Sequence, residues 1–81
     1  MANSLNKNLV GSIVLVKKEY MNEENQSKEK RTFLCEGGSG CQSFTIGGKI
    51  FGTWLNSKET DCIRGGWIEK IIKKVSLNKL N

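Results

Sequence analysis

The sequence predicts a mainly β fold, in which four or five short strands fold back on one another as a small antiparallel barrel. Three observations carry that reading. The 81 residues hold nine glycines and no proline, and most of the glycines fall in three clusters, Gly37-Gly38-Ser39-Gly40, Gly47-Gly48 and Gly65-Gly66, where the backbone can turn at little steric cost. Between these clusters lie short runs of β-branched and aromatic residues, the types that suit a pleated, half-buried surface. Hydrophobic residues make up only 37% of the chain, which supports one domain with a thin core.

Residues 1–9 are polar and asparagine-rich, with Leu5 and Leu9 as isolated apolar positions, so they are expected to form a flexible tail. The domain is expected to span residues 10–76, followed by a C-terminal tail at 77–81. Gly11 and Ser12 turn the chain into a first strand, Ser12–Lys18, whose four consecutive aliphatics Ile13-Val14-Leu15-Val16 predict cover on both faces. That run is far short of a membrane span, and the N-terminus has no apolar signal core. The chain is therefore expected to be cytoplasmic, with no membrane partner.

Glu19 to Lys30 is charged and poor in apolar residues, so it reads as a long exposed loop or protruding hairpin. Arg31–Glu36 then alternates, with Thr32, Leu34 and Glu36 on one side and Arg31, Phe33 and Cys35 on the other. That period predicts a second strand anchored in the core by Phe33. After the first glycine cluster, Gln42–Ile46 is expected to be a short strand or bulged connection. Lys49–Leu55 reads as the next strand, with Gly52 at its centre marking a bulge or tight bend. Asn56–Asp61 is a polar loop of hairpin size, and Cys62-Ile63 resumes the sheet.

The period of the last segment fits two structures. Trp67, Ile68, Ile71, Ile72 and Val75 match a helical stripe, while the isoleucines and the preceding strands favour a strand from Trp67 to Ile72 with a short helical tail after it. The strand is the reading adopted. An SH3-like or similar barrel follows as the expected architecture, because closure removes edges that so short a chain could not cover.

Composition also bounds the chemistry. There is no histidine, so Ser-His and Cys-His pairs and His-ligated metals are excluded. Cys35, Cys41 and Cys62 are an odd number, which suits free thiols in a reducing compartment. Cys35 and Cys41, six positions apart across the glycine turn, are the pair expected to join if oxidation occurs. Without a fourth Cys or His, or a Cys-x-x-Cys knuckle, no structural zinc is expected. The stretch Gly37-Gly38-Ser39-Gly40-Cys41 lacks the Gly-Lys-Ser/Thr ending of a P-loop, so a turn is the expected role. Neither a cofactor nor catalysis is expected. Asp61, Glu36, Glu59 and Glu69 could supply carboxylates, but nothing in the linear order pairs them.

Two binding readings remain. The formal charge is +5, and residues 61–81 hold five basic against two acidic side chains. The favoured reading is a non-enzymatic nucleic-acid-binding barrel, with Arg64, Trp67, Lys70, Lys73, Lys74, Phe44 and Lys49 as contact residues. Against it, lysine outnumbers arginine eleven to two, and arginine is the better phosphate fork. Phe44 and Trp67 are expected to be partly exposed as stacking surfaces, whereas Phe51 and one tryptophan join Phe33 in the core. The alternative is a protein-interaction module, an adaptor or small inhibitor, that uses the charged 19–31 loop. Convergence of Trp67, Phe44 and Lys70, Lys73 and Lys74 on one face favours the first; dispersal favours the second. An uncovered edge strand would also allow a dimer.

Overall fold

The computed structural model describes residues 8–74. The strands are β1 (Ile13–Val16), β2 (Thr32–Gly37), β3 (Lys49–Trp54), β4 (Thr60–Arg64) and β5 (Ile68–Lys73). They form one antiparallel sheet in the order β4-β3-β2-β1-β5. The expected mainly β fold is the one found.

The order forces the sheet to curl. A flat sheet of five strands would set its edges about 19 Å apart, yet β4 and β5 are joined only by the 3-10 turn Gly65–Trp67, a link that spans at most about 14 Å even when fully extended. The sheet must therefore roll so that its edges approach. Register shifts between Cys35 and Gly37 on β2, and at two places between β1 and β5, supply the bends that let it do so. Among the described residues β4 and β5 do not pair. The result is an incompletely closed barrel of the SH3-like type.

Inside the roll sit Val14, Val16, Phe33, Cys35, Cys41, Ile50 and Ile63, all fully buried. The alternation read from Arg31 to Cys35 holds, because the inward side of β2 carries Phe33 and Cys35 while Leu34 and Glu36 face out. Gly52 corrects one expectation. It keeps regular pairing with Cys35 and Asp61, and the bulge lies opposite, at Glu36. Gly52 is required because a Cβ there would collide with the Leu34 carbonyl oxygen and crowd the Phe33 ring.

Other expectations need correction. Leu9, assigned to the flexible tail, is only 2% exposed and belongs to the core; its N–H donates to the Cys41 carbonyl and Gly11 N–H donates to that of Cys35. An isolated leucine was read by its polar neighbours, but the core had a vacancy it fills. Gln42–Ile46 is not a strand. The glycine cluster instead opens a single helical turn, α1 (Ser39–Gln42), and the chain returns so closely that Gly40 and Gly48 meet backbone to backbone with no room for a side chain on either. Both ends of the hairpin loop move as well, since β4 already begins at Thr60. The segment Trp67 to Ile72 is a strand as adopted, starting at Ile68 after Trp67 in the 3-10 turn. The predicted helical tail and the 77–81 segment lie outside the described residues.

The charged 19–31 stretch, expected to be a long exposed loop or protruding hairpin, forms with Lys18 an arm over residues 18–31. It contains three 3-10 turns, Lys18–Tyr20, Glu23–Asn25 and Glu29–Arg31, held by polar contacts together with Met21, which packs against the core. Arg31, only 6% exposed, donates from Nη1 to the Val16 carbonyl at 2.7 Å and from Nε to the Gln26 carbonyl at 3.0 Å. The same Nη1 forms an ion pair with Glu69 Oε1 at 3.0 Å. One guanidinium thus ties the arm to β1 and β5, using the fixed fork that lysine lacks.

Candidate functional site

Anchoring the arm opens a groove of about 290 Å³ between it and the β3–β4 hairpin. Its aromatic walls are Tyr20, Trp54 and Trp67, with Asn25, Glu59 and Asp61 among the polar residues that line it. Each ring is held by an interaction of its own. Tyr20 and Trp67 stack with centroids 4.9 Å apart and planes 8° from parallel, and the Trp67 carbonyl accepts from Lys17 N–H at 2.8 Å. Trp54 sits edge-on to Phe33 at 4.8 Å, while its Nε1 donates to Asp61 Oδ2 at 2.9 Å. The other oxygen of Asp61 accepts from Cys62 N–H at 2.7 Å. Pairing the indole N–H leaves the amphipathic ring available as a contact surface at low ordering cost.

Charge inside the groove runs against the chain as a whole. Its charged lining residues are Lys30, Glu59 and Asp61, and the Lys30 ammonium donates to the Glu24 carbonyl at 3.0 Å. A net acidic, aromatic cleft therefore lies within a chain of formal charge +5.

The seven residues expected to bind nucleic acid come from the loop before β3, from β3, β4, the Gly65–Trp67 turn and β5, and from the position just after it. Lys49 and Arg64 stand directly opposite each other across β3 and β4. Phe44, 37% exposed as expected, reaches the backbone of Gly65 next to Arg64. Lys70 and Lys73 lie on β5, at the other end of the strand order, and Lys74 follows that strand. Trp67 is part-buried in the groove wall. The structure thus brings Phe44, Lys49 and Arg64 together.

Phe51 is a further correction. Expected in the core, it is 50% exposed, because its outward neighbours on β3, Lys49 and Thr53, fix the phase of the strand and the inward positions go to Ile50 and Gly52. Of the carboxylates named from sequence, Glu69 is paired with Arg31 and Glu36 accepts from Thr53 Oγ1 at 3.1 Å; Glu59 and Asp61 share the groove. Sequence reasoning missed Tyr20, Trp54 and their acidic neighbours as a unit. No linear signal joins them, since the arm, the hairpin and the 3-10 turn come from three separate stretches.

The Cys35 and Cys41 thiols are made unreactive by their surroundings. Burial, with Cys41 beside it, pushes the Cys35 thiol up to about 12, and burial also raises Cys41, so neither is a ready thiolate near neutral pH. All three cysteines are free. Among the described residues no group of three or more Cys, Asp or Glu gathers to hold a metal ion, and no helix is long and apolar enough to cross a membrane. No family model, curated protein or solved structure matches this chain.

Proposed function

We propose that the chain is a non-enzymatic protein-interaction module that holds a segment of a partner protein in the groove between the 18–31 arm and the β3–β4 hairpin. The carrying observation is the convergence of Tyr20, Trp54 and Trp67 on one concave surface of about 290 Å³, with every ring already fixed by a stack or a hydrogen bond. Rings fixed before binding lose little freedom on contact, and tryptophan and tyrosine in a pocket are the residues that most often dominate an interface. The polar rim supplies hydrogen-bond groups for a peptide backbone, and the Glu59 carboxylate has no partner among the described residues.

The arm contributes as a wall of the groove, a role distinct from that of a free recognition loop.

A displayed peptide library selected on the whole chain, with Trp54→Ala protein as counter-selection, tests the proposal. The expected result is a set of peptides that bind the parent chain, change the fluorescence of its two tryptophans, and lose at least about tenfold in affinity on the variant. Selected peptides that bind both proteins equally would count against the groove.

A further inference from the structure

We infer that the outer face of β3 and β4 is a second site, one that seats single-stranded nucleic acid, with Lys49 and Arg64 taking a backbone phosphate and the Phe51 ring stacking on a base. The site is separate from the peptide groove, and its argument stands on different residues.

Like charges placed directly opposite on neighbouring strands destabilise a sheet, and Lys49 and Arg64 are such a pair. Neither has a carboxylate partner among the described residues. Arg64 is nonetheless held in place, because its Nη1 donates to the Gly47 carbonyl at 3.0 Å. That contact uses one of the five guanidinium donors and leaves the others to a ligand. An anion between the two cations would turn their repulsion into attraction and accept charge-assisted hydrogen bonds from both.

The next outward position on β3 is Phe51, opposite Cys62. Its ring lies against Gly38, where a side chain would crowd it, and it remains half exposed. The ring and the cation pair are about 7 Å apart along the strand, a distance that one nucleotide bridges from base to phosphate. Phe44 and Ile46, both exposed, come from the loop that packs on Gly65 and Gly66 beside Arg64. On the neighbouring strand β2 the exposed Glu36 accepts a hydrogen bond from Thr53 Oγ1. Cations beside an open ring form the combination that binds single strands without base-specific hydrogen bonds. An acidic peptide would use the cations but has no base to stack on Phe51.

Fluorescence anisotropy of the full chain with a labelled twelve-nucleotide thymidine oligomer, and with its uridine counterpart, tests the assignment at two salt concentrations. The parent chain is expected to bind both oligomers with affinity that falls as salt rises. Phe51→Leu, which keeps an apolar side chain over Gly38, is expected to weaken binding at least about fivefold. Replacing Lys49 and Arg64 together by alanine should reduce the slope of log affinity against log salt by about 0.7, the value for one phosphate, while the Lys70→Ala/Lys73→Ala protein should stay within a factor of two of the parent. Thermal melts of each variant establish that the fold is kept. The inference is overturned by no saturable binding at low salt, by a duplex of the same length binding as tightly, by polyglutamate competing as well as the oligomers, or by the Lys70/Lys73 pair mattering as much as Lys49/Arg64.

Discussion

The groove and the outer face of β3–β4 hold their rings and charges in opposite ways. In the groove, Tyr20 lies on Trp67, Trp54 donates to Asp61, and the arm behind them is braced by a buried arginine. On the sheet face, two cations confront each other and a phenylalanine stands half in water. In the first region the rings are fixed before any partner arrives. The second keeps an unfavourable juxtaposition that a ligand of opposite charge relieves. Shape and charge in this molecule are thus divided between two surfaces that share one thin core.

The largest expected effect breaks both surfaces at once. Phe33 is fully buried and braces Trp54, so Phe33→Ala should destabilise the chain by about 4 kcal/mol, enough to unfold much of so small a domain. Urea denaturation would show it, and both binding activities should disappear together.

Arg31→Ala should separate the two surfaces. It removes the donors to the Val16 and Gln26 carbonyls and the Glu69 ion pair, and buried acceptors left unmet destabilise by about 1–3 kcal/mol each. A total loss of about 3 kcal/mol in a denaturation experiment is expected. Below the melting temperature, peptide binding should be lost and oligonucleotide binding kept. Arg31→Lys should not restore the groove, because an ammonium cannot span carbonyls and carboxylate with a planar fork. Parallel loss of both activities would mean that the surfaces are not independent.

Trp54→Ala is the finer test of the groove, with peptide affinity falling by at least about 2 kcal/mol and oligonucleotide affinity unchanged.

Alkaline pH probes the core beneath both surfaces. The ordinary thiol value is 9.0, and burial raises Cys35 to about 12 in the folded chain. Above pH 9 the unfolded thiol releases its proton while the folded one retains it, so this contribution to stability is full below pH 9 and declines as pH rises towards 12. The decline should be roughly 1.4 kcal/mol per pH unit for this one group. Cys35→Ala lacks the group, so the stability gap between parent and variant should narrow between pH 9 and 11, and melting curves across that range measure it. The smallest effect belongs to the β5 edge, where Lys70→Ala/Lys73→Ala should change stability by less than about 0.5 kcal/mol.

Much of the framework was legible along the chain. The alternation from Arg31 to Cys35 follows from the two-residue period, and the aliphatic run of β1 and the strand nature of Ile68–Lys73 from β-branched side chains that pack on a pleated surface. Leu9, Phe51 and the arm were read differently from how they fold, and each for a physical reason. Leu9 fills a gap made by residues far along the chain. Phe51 loses its inward place because Gly52 must pass close to Leu34. The arm is braced by a buried guanidinium, by Met21 against the core and by the Tyr20–Trp67 stack, contacts with distant residues that its own composition does not reveal.

The order of residues by itself determined the class of fold, the strand segments, the inward phase of β2 and the absence of histidine chemistry, because these depend on neighbours two to four positions away. Tertiary structure alone decided which distant residues meet: Tyr20 with Trp67, Trp54 with Asp61, Lys49 with Arg64. Those meetings depend on strand order and on how tightly the sheet rolls, which in turn reflect the minimum free energy of the whole packed core, and no local window of sequence contains that sum.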